Sequence, residues 1–238
     1  MTLLQGSEPW AMTAEDASLR GGRSSMGVAA KSELLLRQSL EDECRARWPG
    51  ARIVHELVMG AGRVRADVAA IDEAHMAAFE IKGSYDNTLR LLHQVGMFAL
   101  CVPEVWMVVA SNHADDAELI SYLLPDVGIM VCEGIGKHEW QAAKGPVGLS
   151  VRKEATVCEP VPRMALEMLW REELAAICAQ TRVMSATSQA TRPKMISALT
   201  SSLGSDEICQ HICAELRGRE AKWRADPATG RIHGWSDR

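Results

Sequence analysis

At 238 residues, with 47% apolar and 24% charged side chains, the chain has the length and mix of a soluble globular protein, enough for one large domain or a domain with a helical appendage. Its net charge of −5 is uneven: from Arg182 onward basic residues outnumber acidic ones by three, which permits nucleic-acid contact near the C-terminus without demanding it. The opening Met-Thr-Leu-Leu-Gln lacks a secretory pattern, and the longest apolar stretch, Val95 to Ala110, is broken by Pro103 and Glu104, so a membrane span is excluded and a cytoplasmic location expected.

Residues 1–28, rich in Gly and Ser, read as a flexible leader. A helix is predicted from Ala29 to Trp48, with Ser32 as its cap and Leu34, Leu35, Leu36, Leu40 and Cys44 as its core stripe; Pro49-Gly50 ends it. Three strands follow, Arg52–Met59, Arg63–Ile71 and Met76–Lys82, turned by Gly60-Ala-Gly62 and by Asp72–His75. A helix from Thr88 to Val102 leads to a nearly all-apolar strand, Glu104–Ala110, of the kind covered on both faces. A helix at Asp115–Leu124, a strand at Gly128–Cys132 and a closing hairpin around Trp140 and Val147–Val151 complete the core. Beyond Pro160-Val-Pro162, helices are predicted over Arg163–Ala179 and Lys194–Trp223, separated by the joint Ser185–Thr191. The expected fold is α/β, a mixed central sheet flanked by helices, with a core over 29–158 and a C-terminal helical region over 159–238.

The chemistry concentrates on two of these strands. Glu80 and Lys82 are two apart and share a strand face, and Asp67 lies thirteen residues upstream in the neighbouring run. A charge in mid-strand costs about 2 kcal/mol or more to bury without a partner, so such charges point to a site. Hydrolysis of a phosphodiester needs neutralised phosphate oxygens and an oriented water. Asp67, Glu80 and the carbonyl of Ile81 offer hard oxygens for Mg²⁺ or Mn²⁺, and Lys82 can handle the water or stabilise the transition state. The bland alternatives are a solvated Asp67 and a Glu80–Lys82 ion pair. The seven cysteines are odd in number and scattered; Cys209 and Cys213, with His211 between them, read as buried thiols rather than a zinc knuckle.

Asp67…Glu80-Ile81-Lys82, in the order helix, three-stranded meander, helix, strand, resembles the core motif of the PD-(D/E)XK nuclease superfamily over about residues 29 to 132. Arg65-Ala-Asp67, Glu80-Ile-Lys82 and the Asp86–Gln94 block are more narrowly similar to a family of small uncharacterised bacterial and phage proteins, in which Ser often stands at the place of Gly83. The resemblance implies a restriction-endonuclease-like core and a metal-dependent nuclease, with DNA as the expected substrate. It implies metal ligation by Glu33 on the first helix, the alternative being an exposed helix acid, and Glu56 is a further candidate acid. It implies that Gln94 orients the lysine or phosphate. Asp86, Arg90 and Gln94 are expected on one helix face, with Arg90 and Arg65 as substrate contacts, against a plain Asp86–Arg90 helix pair. A homodimer would let one site per chain cut both strands of a duplex. The competing readings are a catalytically silent nucleic-acid- or protein-binding module of the same fold, and an oligomeric scaffold built on the tail.

Overall fold

The computed structural model describes residues 22–133, 147–185, 190–220 and 225–229, with side chains from Lys31 onward. The expected α/β architecture is present. One six-stranded sheet runs β1 (Arg52–Met59), β2 (Val64–Ile71), β3 (Met76–Lys82), β4 (Glu104–Ala110), β5 (Gly128–Cys132) and β6 (Leu149–Lys153), in sequence order across the sheet. The first three strands form an antiparallel meander; β3, β4 and β5 are parallel; β6 returns antiparallel. Parallel neighbours require crossovers, and α2 (Leu91–Ala99) and α3 (Ala114–Leu123) supply them. Trp140 and residues 186–189 of the expected joint lie outside the described residues.

The sheet is covered on both sides, which is why β4 is buried at all seven positions. On one face α1 (Gly22–Arg47) lays Leu35, Leu36, Leu40 and Cys44 against Ile53, Val68, Phe79, Ile81, Trp106 and Val108. On the other, α2 and α3 share a single apolar cluster with α4 (Pro162–Leu166), α5 (Arg171–Thr181), α6 (Arg192–Ser202) and α7 (Ser205–Gly218). The C-terminal helices are thus built onto the sheet.

Several expectations are corrected. The first helix begins at Gly22, inside the stretch read as leader, so Ser32 is an interior residue and not a cap; Leu34 is 46% exposed and lies off the core stripe. The helix expected from Thr88 starts only at Leu91, because the chain after β3 first makes a turn in which Asp86 accepts from the Gly83 amide (2.7 Å) and its own amide donates to the Gly83 carbonyl (3.0 Å). Both tail helices are interrupted, the first at Glu167–Trp170 and the second at Leu203–Gly204.

The segment at Ala225 and Asp226 returns to the outermost strand. Ala225 bridges Val54, the Asp226 amide donates to the Ile53 carbonyl (2.8 Å), and the Asp226 carboxylate accepts from the Ile53 amide (3.0 Å). Arg52, buried beneath this segment, donates to the carbonyls of Leu216, Arg217 and Arg219, satisfying acceptors that the end of α7 leaves open.

Candidate functional site

The site is a fork in the sheet. The β2–β3 ladder runs from Ile71 opposite Met76 to Val68 opposite Phe79 and stops there, so Asp67 and Glu80 stand where the two strands part. The β1–β2 ladder passes from His55↔Val68 to Leu57↔Ala66 and skips Glu56 and Asp67. Glu56 takes a φ of +57°, a left-handed conformation rare for a non-glycine residue in a strand. The apolar alternation slips at the same level: Val54 and Leu57, three apart, face the same cluster, as do Ala66 and Ala69. A β-strand cannot do that without a local irregularity. The irregularity turns Asp67 out of regular pairing and into the fork, where its Oδ2 accepts from the Ile81 amide at 2.8 Å.

Glu80 and Lys82 alternate with Phe79 and Ile81, which pack under α1, so they face α2. There Lys82 Nζ donates to Glu80 Oε1 at 2.6 Å and to Gln94 Oε1 at 3.3 Å, and Gln94 Nε2 donates to the same Glu80 oxygen at 2.6 Å. Gln94, one turn into α2, therefore orients both the lysine and the carboxylate. The other oxygen of Glu80, Oε2, is buried with no hydrogen-bond partner. Burial, reinforced by the negative charge of Asp67, pushes the Glu80 carboxyl up to about 7 despite Lys82 and Gln94. Burial likewise raises Asp67, against the Ile81 amide, Arg37 and Lys82. Glu80, buried with an orphaned oxygen, and Asp67, half-buried beside it, both have their ionised forms disfavoured by burial.

Sequence reasoning missed Arg37. It is 7% exposed and reaches from α1 to the back of the fork, donating to the Asp67 carbonyl (Nη1, 2.6 Å) and to Asp67 Oδ1 (Nη2, 3.5 Å), with Glu56 Oε1 also at 3.5 Å. His55 continues the network, its Nδ1 3.3 Å from Arg37 and its Nε2 3.4 Å from Glu41. No spacing in the sequence announces a contact that exists only because β1 and β2 are irregular at one level.

The other expected residues fall differently. Glu33 does not join Glu80; its Oε1 accepts from Arg37 at 2.8 Å, and its side chain is 46% exposed. Arg65 is an exposed side chain paired with Glu56 at 2.5 Å. Arg90 is exposed at the entrance to α2, and Asp86, in the preceding turn, cannot share a helix face with it and Gln94. Ile81 meets the site through its amide. Among the described residues, no three Asp, Glu, His or Cys side chains stand together to hold a metal. What the fork offers is two carboxylates, with the Ile81 carbonyl as the expected third oxygen, a hard-oxygen set that fits Mg²⁺ or Mn²⁺ provided water completes the shell.

Replacing Arg37 by Ala is expected to cost roughly 1–3 kcal/mol, since Asp67 then keeps a buried carbonyl without its donor. Glu33→Ala, on an exposed acid, is expected to shift stability by less than about 0.5 kcal/mol. Urea midpoints of the two variants check both.

A family model described as bacteriophage P4 protein cII matches residues 29–225. No curated protein matches the chain. A solved structure of a protein of unknown function from Silicibacter pomeroyi is similar at 17% identity, covering 64% of this chain and 88% of its own, with a TM-score of 0.40.

Proposed function

The chain belongs to the bacteriophage P4 protein cII family, and for it we propose a divalent-cation-dependent nuclease of the PD-(D/E)XK kind, cytoplasmic, hydrolysing phosphodiester bonds of nucleic acid, with DNA as substrate. The observation that carries the reading is Glu80: a buried carboxylate with one unpartnered oxygen, beside Asp67 at the fork and tied to Lys82 through the other oxygen. A bound Mg²⁺ or Mn²⁺ would polarise the phosphate and acidify a ligated water. Asp67 and Glu80 hold it. Lys82, kept within reach by Glu80 and Gln94, positions the attacking water or neutralises the charge that builds on the phosphate. Arg37 holds Asp67 in the fork from behind. Arg65 and Arg90, both exposed, are available to the nucleic-acid backbone. Cutting both strands of a duplex with one site per chain calls for two copies.

The alternative is a silent binding module of the same fold. It is favoured by the lack, among the described residues, of a third acidic, His or Cys ligand and by the lysine already seated on Glu80. The two part in one experiment. Calorimetric titration with Mn²⁺ at pH 8, followed by incubation with supercoiled plasmid, linear duplex and single-stranded RNA, is expected to show cation binding and metal-dependent cleavage that chelator stops. Binding of nucleic acid without cleavage under any of these conditions establishes the silent module.

A further inference from the structure

At the opposite end of β3 from the fork, α7 packs over the turn that joins β2 to β3. Cys209 Sγ lies 3.6 Å from the Ala74 carbonyl and Cys213 Sγ 3.7 Å from that of His75. The two cysteines are four apart on α7 and so share one face of it, each thiol donating to a carbonyl of the turn beneath. His75 is anchored from the sheet: its Nε2 lies 2.7 Å from Glu104 Oε2, while Glu104 Oε1 accepts from the Trp106 indole at 2.6 Å. Glu104 is 7% exposed, so its carboxylate is fixed on both oxygens and holds one side of the imidazole. A cavity of about 350 Å³ opens here, lined by Ala74, His75, Pro103, Cys158, Asp206 and Cys209. Cys213 is buried behind it. The arrangement has an accessible sulfur in a cleft, a second, buried sulfur one helical turn away and a carboxylate-backed imidazole alongside.

We propose that Cys209 and Cys213 are a thiol–disulfide exchange pair, in which Cys209 attacks a disulfide entering the cavity and Cys213 resolves the product. Cys209 sulfur forms a bond to one sulfur of the incoming disulfide, whose own S–S bond breaks and releases a first thiolate. Cys213 then loses its proton and its sulfur attacks Cys209, expelling the second thiolate. Two protein thiols are oxidised to one disulfide, the incoming disulfide is reduced to two thiols, and the two thiol protons end on the released groups. The order of attack follows from the electrostatics. The neighbouring Cys213, with His75, holds Cys209 below the ordinary cysteine range, and Cys209 together with burial pushes Cys213 up. Glu104 in turn raises His75 above the usual histidine range, so the charged imidazole is favoured beside the thiol. Burial and Asp206 act against the lowering of Cys209, while Asp72 adds to the rise of Cys213 and Arg217 opposes it. Side chains four apart on a helix are about 5–6 Å apart at Cβ, against roughly 3.5–4.5 Å in a disulfide. Closing the bond must therefore distort a turn of α7, and a distorted disulfide is readily reduced. None of this depends on the nuclease reading.

The test uses the reduced full-length chain and an aromatic disulfide, dithiobis-nitrobenzoate, with release of nitrothiobenzoate followed by stopped flow and the labelled sites mapped by mass spectrometry. A first phase at Cys209 is expected, at least tenfold faster than reaction at Cys158, which lines the same cavity without the histidine relay. That phase ends with two equivalents released and a Cys209–Cys213 disulfide. Cys213→Ser is expected to release one equivalent and trap the mixed disulfide on Cys209. Glu104→Gln is expected to slow the Cys209 phase and move its pH profile upward while leaving the Cys158 rate unchanged. Equal rates at Cys158 and Cys209 in the wild-type chain, or a mixed disulfide that persists there beside a free Cys213, would overturn the proposal without any variant having to fold.

Discussion

Lys82→Ala is expected to lose metal-dependent cleavage by roughly 10²–10⁴-fold while binding Mn²⁺ at least as tightly as the wild-type chain. The lysine ammonium sits 2.6 Å from Glu80 Oε1 and competes there with any cation; its removal leaves that oxygen freer for the metal even as the catalytic group is lost. Asp67→Ala is expected to lose both binding and cleavage, since Glu80 alone supplies too few oxygens to hold a divalent ion. Titration calorimetry and plasmid cleavage on the two variants separate the roles. Cleavage by Lys82→Ala within tenfold of wild type would remove the lysine from the mechanism.

The sign of the pH dependence follows from the same geometry. The Glu80 carboxyl titrates in the folded chain at about 7 instead of 4.5, so the folded state holds that proton more tightly than the unfolded one. This group's contribution to stability therefore declines as pH rises from about 4.5 through 7. A metal must displace the proton. The rise in melting temperature on adding Mn²⁺ is expected to be small at pH 5.5 and to grow to its full size by pH 8, while the metal-free chain shows the opposite trend from this group.

The largest effect on stability is expected from the pair that ties the end of the last helix to the tail bundle. Arg219 donates Nε to Glu173 Oε1 (2.6 Å) and Nη2 to Glu173 Oε2 (2.5 Å), and Nη2 also reaches the Met168 carbonyl at 3.0 Å. Its guanidinium lies 4.3 Å from the centre of the Trp170 ring, and Glu173 additionally accepts from the Trp170 amide at 2.6 Å, closing the first turn of α5. Both residues are 8% exposed. Removing either alone leaves the other charge buried, so Arg219→Ala or Glu173→Ala is expected to cost about 3–5 kcal/mol. That is a large part of a total that is typically about 5–15 kcal/mol. The double substitution is expected to cost clearly less than the sum, because no charge is then stranded. Equilibrium urea unfolding of the three variants closes the cycle, and strict additivity would mean that the two residues act independently.

The first five strands were readable because each carries an uninterrupted or alternating apolar run between clear turn residues, and their bounds match within one residue; β6 lies two residues beyond the expected Val147–Val151. Glu80 and Lys82 share a face by strand alternation, a local rule, whereas Gln94 is implied by the resemblance and Asp67 reaches the fork through the irregular pairing of β1 and β2. Where the reading failed, a tertiary contact outweighed a local preference. The Gly83–Asp86 turn delays α2, which takes Asp86 out of the helix and leaves Arg90 at its mouth. Gly83 itself is constrained by the first helix, since a side chain there would bring its Cβ within 2.8 Å of Ser32 Oγ. Glu33, which the resemblance offers as a ligand and the residue pattern as an exposed helix acid, is exposed in the fold and pairs with Arg37 at i, i+4. The irregularity at Glu56 and Asp67 was not legible, because nothing in Leu57 or Ala66 signals that the alternation slips.

The return of Ala225 and Asp226 onto β1 has a consequence for solubility. Without it the sheet would end in a bare row of amides and carbonyls along Ile53 and Val54, flat and apolar, a template on which another copy's strand can add. The short patch, held down by Arg45 and Arg52, acts as a guard against edge-to-edge aggregation, which makes it a poor place to trim the chain.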